Sequence, residues 1–256
     1  MKISIITATY NCEKSLQRTI DSVASQDYEE IEHIIIDGGS SDNTLNIIQA
    51  NSDRITKYIS EKDSGIYDAL NKGIRLATGD VIGFLNSDDT FADQHIISAI
   101  ANCFKTEKTD LVYGNLVYQT VDDSNEKTIR YWESNNFNTE SLKYGWMPPH
   151  PTLYCKREIY EQWGLFNDKF KIAADYDFIL RIFKQPTIKK TFLPIILVKM
   201  SIGGISNNSI KNIIRKSFED YKAIKNNMIG GFLTLLLKNA RKIAQFNNLK
   251  NSKIKC

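Results

Sequence analysis

The sequence has few cysteines and prolines, and each shortage argues against a class of protein. Among 256 residues there are 4 cysteines, 5 prolines and 13 glycines, too few for a collagen-like or proline-rich chain. Cys12, Cys103, Cys155 and Cys256 stand far apart without a C-x-x-C pair, which excludes a zinc ribbon and a thioredoxin motif. A disulfide framework is unexpected at this density, so we expect a reducing, cytoplasmic location.

Long apolar runs are also missing. The longest candidate, Ile229 to Leu237, is interrupted by glycine and threonine and falls short of the roughly 18 residues of a membrane span. The N-terminus has one basic residue before a short apolar run, which is a poor signal peptide and a good first strand. Hydrophobic residues at 42% and charged residues at 25% fit a soluble globular protein.

Charge is unevenly distributed along the chain. Residues 207–256 hold 11 Lys and Arg against Glu219 and Asp220, a balance of +9, so the total of +3 leaves −6 on the first 206 residues. This asymmetry predicts a domain over 1–206 and a basic, amphipathic helical extension over 207–256. The acidic body and the lack of a binding motif argue against nucleic acid as a partner.

Strand and helix patterns alternate through the first ninety residues, which predicts a mostly parallel α/β sheet with right-handed crossovers. The predicted strands are Ile3–Thr9, His33–Asp37, Ile55–Ser60 and Val81–Leu85, separated by helical patterns over Glu13–Gln26, after Ser41 or Asp42, and over Ile66–Ala77. Later strands are predicted at Leu111–Tyr118, Thr128–Trp132 and Phe192–Lys199, and later helices at Lys156–Trp163, Ala173–Phe183 and 210–242.

Polar residues cluster where these strands end. The clusters are Thr7 to Asn11, Asp37 to Asp42, Asp63 to Gly65 and Asn86 to Asp89. Ligands of parallel α/β sheets bind beyond the carboxyl ends of the strands. The four clusters therefore predict one ligand site along one sheet edge.

The Asp88-Asp89 pair is the strongest candidate within that edge. Two adjacent carboxylates after a buried strand repel each other and lose hydration unless a cation lies between them. A hard divalent ion that bridges to substrate phosphates fits this arrangement. A solvated loop or a helix cap fits the two residues equally well.

Two further residues of this edge have both a functional and a structural interpretation. Asp37 either accepts hydrogen bonds from a nucleobase or ribose or caps the Ser40-Ser41 turn. Lys72 either faces a diphosphate as a point charge or lies on the surface. No GxGxxG motif or P-loop is present, so phosphate binding would depend on metal and side chains.

Three residues of the second half are candidates for acid–base chemistry. Asp175 and Asp177 open a predicted helix, where the helix dipole favours carboxylates, and Asp175 is also placed to act as a general base. His150 stands between prolines in stiff, extended backbone, where it is either packed or functional.

The sequence resembles family 2 inverting glycosyltransferases of the GT-A fold. The resemblance covers about the first 206 residues in the expected order. It rests on Thr7 to Asn11, Asp37 to Thr44, Glu61 to Gly73, Gly79-Asp80, Asn86 to Asp89, His150-Pro151-Thr152, Ala174 to Asp177 and Gly203 to Ser206.

The resemblance implies a fold and a set of residue roles. The fold would be GT-A, with a Rossmann-like nucleotide-binding half. Asp175 would be the catalytic base, and Asp88 and Asp89 would hold Mn²⁺ or Mg²⁺. Donor contacts would come from Thr7, Ala8, Tyr10, Asp37, Asp63, Lys72, Asn86, Ser87 and Asp88, with His150 and Asp177 as further acceptor or donor contacts.

Two positions depart from the family pattern. Asn86 replaces the first acid of the D-x-D-type site, which leaves open how ligation divides between Asp88 and Asp89. Ala174 replaces the glutamate of the E-D motif, which leaves Asp175 as the base and Asp177 as a weaker substitute.

The resemblance also implies substrates and partners. The donor would be a nucleotide-diphosphate sugar, most often a UDP-sugar, and hexosyl or N-acetylhexosaminyl transfer would go to a hydroxyl of a glycan or polyprenyl-diphosphate-linked acceptor. Such enzymes often build bacterial surface polysaccharide, O-antigen or capsule. The basic extension either binds an anionic membrane, which would place the enzyme on the inner face of the cell membrane, or packs on the domain through Ile210, Ile213, Ile214, Phe218 and Tyr221.

Two other functions stay open at this point. A nucleotidyltransferase also uses metal-binding carboxylates on an α/β sheet, although Thr7 to Asn11 lacks the Gly-rich basic loop expected of that class. A sugar-nucleotide- or carbohydrate-binding protein without turnover is compatible with Asn86 and Ala174.

Overall fold

The computed structural model describes residues 1–120, 127–201 and 210–247. The strands within these ranges are β1 (Ile3–Thr9), β2 (Ile31–Asp37), β3 (Lys57–Ser60), β4 (Val81–Phe84), β5 (Thr90–Phe91), β6 (Leu111–Thr120), β7 (Lys127–Trp132), β8 (Tyr154–Lys156) and β9 (Lys190–Ser201). The α-helices are α1 (Leu16–Ala24), α2 (Thr44–Ala50), α3 (Ile66–Leu76), α4 (Ile96–Glu107), α5 (Arg157–Trp163), α6 (Ala174–Phe183), α7 (Ile210–Asn226) and α8 (Phe232–Asn247). Short 3-10 helices cover Thr139–Tyr144 and His150–Thr152.

The described strands form one sheet in the order β3-β2-β1-β4-β8-β6-β9-β5, with β7 paired to β6. The first four strands are mutually parallel, and Ile3 of β1 lies opposite Ile31 of β2 and Val81 of β4. The predicted parallel half is therefore confirmed. Its apolar strands are buried on both faces because helices cover the sheet from both sides.

The second half of the sheet mixes strand directions. β8 runs antiparallel to β4 and β6, whereas β9 runs parallel to β6. β7 folds back on β6 as an antiparallel partner. Residues 121–126, which join these two strands, lie outside the described residues.

The helix α4 lies in a stretch without a predicted element, although its buried residues follow helical spacing. They are Ile96, Ile97, Ile100, Ala101, Cys103 and Phe104. They fill the core on one face of the sheet together with β1, β4 and β6.

The C-terminal helical pattern is two helices, α7 and α8, separated at Gly230-Gly231. The prediction that the apolar stripe of α7 covers the domain is wrong for Ile213, Ile214 and Phe218, which are exposed, whereas Tyr221 packs against the core as predicted. The side chain of Ile210 lies outside the described residues. α7 instead packs through Glu219, Asp220, Ala223, Ile224 and Asn227, since polar contacts to the domain decide which face turns inward. The predicted boundary at 206/207 lies outside the described residues.

No helix in the described ranges combines the length and the apolar character needed to span a membrane. The cysteines at 12, 103 and 155 are unpaired there.

Candidate active site

Three of the predicted polar clusters meet at the carboxyl ends of β1, β2 and β3. The convergence is visible at Gly38, where an added Cβ would lie 2.6 Å from Asp63 Oδ2 and 3.4 Å from Tyr10 Cδ2. Tyr10 is 59% exposed and follows β1 directly. Because residue 38 is a glycine, a carboxylate and an exposed aromatic ring can lie side by side at this edge. This arrangement suits the binding of a planar ligand.

Two residues that were predicted to contact the sugar donor point into the protein at this edge. The Thr7 hydroxyl lies 3.1 Å from His33 Nε2 inside the sheet, and Ala8 is buried. Burial lowers the pKa of His33 to about 4, so this imidazole is neutral at pH 7. Thr7 and Ala8 therefore form the backing of the site.

Asp37 is also buried, and both of its carboxylate oxygens are occupied. The Ser40 amide donates to Oδ2 at 3.1 Å, the Ser60 hydroxyl donates to the same oxygen at 2.6 Å, and the Ser40 hydroxyl donates to Oδ1. This arrangement matches the turn-capping interpretation of Asp37. A ligand that contacts this carboxylate would have to share its two oxygens with these three hydrogen-bond donors.

Lys72 of α3 points to acidic side chains. Its Nζ lies 2.7 Å from Glu61 Oε1 and 3.8 Å from Asp68 Oδ2. The hydrogen bond to Glu61 raises the pKa of Lys72, so the ammonium stays charged. A role toward a diphosphate would require Lys72 to leave this pair.

The turn Asn86 to Asp89 follows β4, is closed by an internal hydrogen bond and is bonded to two other elements, β9 and α1. Asn86 Nδ2 donates to Asp89 Oδ2 at 2.8 Å, and the Ser201 amide at the end of β9 donates to Asp89 Oδ1 at 3.1 Å. Arg18 of α1 donates from Nη2 to the Asp88 carbonyl at 2.8 Å. These contacts fix the turn that carries the acidic pair.

Ser87 and Thr19 complete the anchoring of this turn. The Ser87 hydroxyl lies 3.1 Å from Cys12 Sγ, next to the end of β1. Thr19 donates to the Asp89 carbonyl at 2.8 Å. The turn is thereby connected to the Tyr10 side of the same edge.

The electrostatics of the acidic pair favour a bound cation. Burial raises the pKa of Asp88, and burial together with the neighbouring Asp88 charge raises the pKa of Asp89 well above its usual range. Arg18 offsets this only in part. A half-buried and a buried carboxylate destabilised in this way are stabilised when a divalent ion neutralises their charge.

The residues present fit a metal ion that takes some of its ligands from the protein and the others from a substrate. Across residues 1–120, 127–201 and 210–247 no cluster of three or more His, Cys, Asp or Glu side chains has metal-holding geometry. The protein would supply two carboxylates, and the remaining ligands would come from phosphate and water, as is common for Mg²⁺ sites.

Asp175 lies in the first turn of α6 beside Tyr67 of α3. The Tyr67 hydroxyl lies 3.0 Å from Asp175 Oδ1 and 2.7 Å from the Ile172 carbonyl. Tyr67 has no role predicted from the sequence, although it stands inside the Glu61 to Gly73 motif. Helix α3 thus contributes directly to the surroundings of the candidate base.

The Asp175 carboxylate is held in its charged form. Burial raises its pKa, but the surrounding charges of His150, Lys216 and Lys238 and the Tyr67 hydrogen bond outweigh burial, so the pKa is lowered. Burial also lowers the pKa of His150, whose imidazole is therefore neutral at pH 7. The charges of the two lysines and the Tyr67 hydrogen bond also favour the ionised carboxylate, the form that can accept a proton.

Tyr118 of β6 interacts electrostatically with both the acidic pair and Asp175. Burial raises the pKa of this phenol, and the charges of both Asp89 and Asp175 raise it further. Both carboxylates therefore lie within electrostatic range of one side chain. Arg130 of β7 stacks on the same ring at 4.6 Å and lies 5.4 Å from the Trp132 ring. Sequence reasoning missed this cluster, because nothing in the strand pattern reveals which carboxylates a strand end faces.

His150 is packed among aromatic rings. Its ring centroid lies 5.4 Å from that of Phe84 at the end of β4 and 5.6 Å from that of Phe166. Its buried Nδ1 has no hydrogen-bond partner within the described part of the chain. His150 therefore lies between the strand that leads to the acidic pair and the neighbourhood of Asp175.

Asp177 is engaged inside the protein. Arg181 Nη2 lies 3.0 Å from Asp177 Oδ2, and Asn227 Nδ2 donates to Oδ1 at 2.9 Å. These contacts join α6 to the end of α7 and favour a structural role for Asp177. The motif Gly203 to Ser206 lies outside the described residues.

Comparison with known proteins settles the class of this chain. Residues 4–163 match the model of glycosyl transferase family 2, and the chain belongs to this family. A PGL/p-HBAD biosynthesis glycosyltransferase of Mycobacterium bovis is 28% identical over 212 residues, which cover 81% of this chain and 80% of the relative. A glycosyltransferase of Mycobacterium tuberculosis is 31% identical over 181 residues, covering 70% and 68% of the two chains.

Solved structures share the architecture. S. aureus TarS 1-349 in complex with UDP-GlcNAc has a TM-score of 0.69 at 19% identity and covers 97% of this chain and 72% of its own. This chain spans 44% of a longer crystallised form of TarS. The mannosyltransferase PcManGT from Pyrobaculum calidifontis, in complex with GDP-Man and Mn²⁺, has a TM-score of 0.66 at 15% identity, over 95% and 70% of the two chains. The protein is thus a glycosyltransferase with the GT-A fold, and the nucleotidyltransferase alternative falls away.

Proposed function

We propose that this glycosyltransferase transfers a sugar from a nucleotide-diphosphate sugar, a UDP-sugar, to an acceptor hydroxyl with inversion at C1. The observation that carries the proposal is Tyr118, whose phenol is within range of both Asp89 and Asp175. The donor pyrophosphate is proposed to bind at the acidic pair, with Asp175 as the carboxylate that accepts the acceptor proton. UDP-GlcNAc in the related fold of TarS supports the choice of a hexosyl or N-acetylhexosaminyl donor.

The donor would lie along the edge formed by the first four strands. Tyr10 and Asp63 border the nucleoside, with Asp37 behind them, and Asn86 and Ser87 hold the turn that carries the acidic pair. Asp88 and Asp89 would hold Mn²⁺ or Mg²⁺, and Mn²⁺ in the complex of PcManGT supports this choice. When bound, the ion neutralises charge that develops on the leaving diphosphate.

Asp175 performs the proton transfer. The acceptor oxygen forms a bond to C1 as the bond from C1 to the donor phosphate oxygen breaks, and the hydroxyl proton passes to Asp175. The nucleoside diphosphate leaves on the opposite face, which inverts the anomeric centre. The lowered pKa of Asp175 keeps the carboxylate ionised for this step. His150 packs against Phe84 near the same place, with its Nδ1 buried and without a hydrogen-bond partner among the described residues.

The acceptor is proposed to be a glycan or a polyprenyl-diphosphate-linked sugar of bacterial surface polysaccharide, reached at the cytoplasmic face of an anionic membrane. The described side chains of α7 and α8 include two acids, Glu219 and Asp220, and both are buried, so the exposed charge of these helices is positive. Large apolar side chains are exposed on these helices and on the turn between them, at Ile213, Ile214, Phe218, Met228, Phe232, Leu233 and Leu236. Exposed apolar groups among cations suit an anionic lipid surface, whereas a second copy of the same surface would be repelled.

A donor screen tests the reaction. The purified protein is incubated with UDP-, GDP- and dTDP-sugars and Mn²⁺ or Mg²⁺, and release of nucleoside diphosphate is measured with and without excess chelator. We expect release from one donor class that chelator abolishes and added metal restores. Full activity in excess chelator would remove the metal from the mechanism, and binding of a donor without any release would favour a binding protein without turnover.

Liposome flotation tests the membrane contact. The double variant L233S/L236S removes two exposed apolar groups of α8, and Y58S removes an exposed aromatic ring of β3 as a matched control. We expect the wild-type protein and Y58S to float with vesicles that contain phosphatidylglycerol and the double variant to remain in the soluble fraction. Equal flotation of all three proteins would contradict the membrane contact.

A further inference from the structure

The segment 171–173 leads directly into the helix that carries Asp175, and its backbone N–H groups converge on Glu219 of α7. The Lys171 amide lies 3.0 and 3.1 Å from the two carboxylate oxygens, and the amides of Ile172 and Ala173 lie 2.8 and 3.1 Å from Oε2. Glu219 is 8% exposed and comes from 46 to 48 residues further along the chain. A carboxylate with three amide donors forms strong, charge-assisted bonds.

One peptide group connects this carboxylate to the candidate base. The amide of Ala173 donates to Glu219, and the carbonyl of the same peptide, on Ile172, accepts from the Tyr67 hydroxyl at 2.7 Å. That hydroxyl also lies 3.0 Å from Asp175 Oδ1. A hydroxyl has one proton to share between two acceptors, so the orientation of the peptide decides how far Tyr67 is directed at Asp175. Linked hydrogen bonds of this kind polarise one another.

Glu219 is itself held in place by α8. The adjacent Asp220 pairs with Lys238 Nζ at 2.6 Å, and the same ammonium lies 3.7 Å from the Tyr176 ring, next to Asp175 in α6. The backbone of Lys238 passes so close to Gly145 that an added Cβ there would lie 2.4 Å from Lys238 N. The two C-terminal helices therefore form a rigid support beneath the first turn of α6.

We propose that Glu219 is a positioning residue for sugar transfer, which acts on Asp175 through the peptide between Ile172 and Ala173 and through Tyr67. This proposal rests on the role of Asp175 as the base. It gives the C-terminal helices a part in catalysis that is separate from any contact with a membrane.

A double-mutant cycle on kcat tests the proposal, with the full chain and the donor identified by the screen. We expect E219Q and Y67F each to lower kcat by on the order of tenfold, because a misplaced base loses alignment with the acceptor. The donor KM should stay within about twofold of the wild-type value, since neither Glu219 nor Tyr67 is among the residues proposed to contact the donor. The double variant should lose no more than about tenfold, because both changes interrupt the same chain of hydrogen bonds.

The control variant I224A separates positioning from stability. Ile224 is fully buried one turn further along α7, so its truncation should lower Tm while kcat is retained at a temperature where the protein is folded. Should E219Q fail to fold, E219D, which keeps the charge but shortens its reach, takes its place. Full kcat in E219Q, multiplicative losses in the double variant, or losses that match those of I224A would overturn the proposal. An inactive D175N together with a fully active E219Q would refute Glu219 alone, whereas an active D175N would refute the proposed function.

Discussion

The acidic pair after β4 and the single carboxylate at the start of α6 show opposite electrostatics. Burial raises the pKa of Asp88 and Asp89, whereas the pKa of Asp175 is lowered despite its burial. Around Asp175, Lys216, Lys238 and a tyrosine hydroxyl provide the compensation. The electrostatics of the acidic pair therefore favour a bound cation, whereas those of Asp175 favour a carboxylate that keeps its negative charge.

The largest effect is expected for D175N, which removes the negative charge of the candidate base. We expect kcat to fall about 10³-fold because the acceptor proton has no base, while donor affinity stays unchanged because the acidic pair is intact. Nucleoside diphosphate release and calorimetric donor titration in Mn²⁺ measure the two quantities. D168N, which neutralises an exposed carboxylate, is the matched control. Turnover of D175N near that of wild type would show that another group is the base.

The next effect concerns the cation that the acidic pair is expected to bind. D89N should weaken Mn²⁺ or Mg²⁺ binding by at least about a hundredfold, because one of the two carboxylate ligands is lost. Donor binding that depends on the metal should weaken with it, while metal-independent binding of the free nucleoside is retained. Metal titration of both variants checks the contrast, and D175N should bind metal as the wild type does. Equal metal affinity of D89N and wild type would contradict the assigned ligand.

A smaller effect follows from protonation of the acidic pair. A carboxylate with a raised pKa stays protonated to higher pH, so metal binding must release a proton and affinity must fall as pH falls. We expect Mn²⁺ to bind up to about tenfold more weakly for each pH unit and each proton released. Titrations in buffers of different ionisation enthalpy count the protons. Affinity independent of pH, with no proton release, would show that the pair is already ionised without metal.

The smallest effect is on the stability of the metal-free protein. Because the folded-state pKa of Asp89 is raised above its unfolded value, the ionised form destabilises the fold at pH 7. D89N should therefore raise Tm in chelator by about 2–4 °C, whereas D168N should leave it unchanged. Thermal denaturation followed by circular dichroism measures the shift. A lower Tm for D89N would mean that its bonds to Asn86 and Ser201 outweigh the repulsion.

The polar edge at the carboxyl ends of the first strands was largely predictable because it is local in sequence. Each polar cluster directly follows a strand with a clear apolar pattern, and parallel pairing brings such strand ends to one edge. The sequence alone therefore placed Asp88 and Asp89 at the same sheet edge as Tyr10 and Asp63. The inward direction of Thr7 and the hydrogen bonds of Asp37 were not predictable, because strand periodicity does not report which polar neighbour lies behind a side chain.

The surroundings of Asp175 could be predicted only in part. The residue itself stands out at a helix start, but Tyr67 lies 108 residues away and Glu219 belongs to a helix whose apolar stripe suggested the opposite orientation. The stripe of Ile213, Ile214 and Phe218 faces outward because buried contacts of Glu219, Asp220 and Asn227 outweigh it. A hydrophobic pattern ranks helix faces by polarity alone, so it cannot identify a polar face that is needed inside.

The order of apolar runs and turn residues by itself determined the parallel half of the sheet and the edge at which its polar residues meet, since both follow from spacing along the chain. Tertiary structure alone decided the charge state of each carboxylate, because a pKa depends on burial and on groups brought near from distant segments. It also decided that the C-terminal helices support Asp175, since a carboxylate finds its amide donors only once the helices have packed.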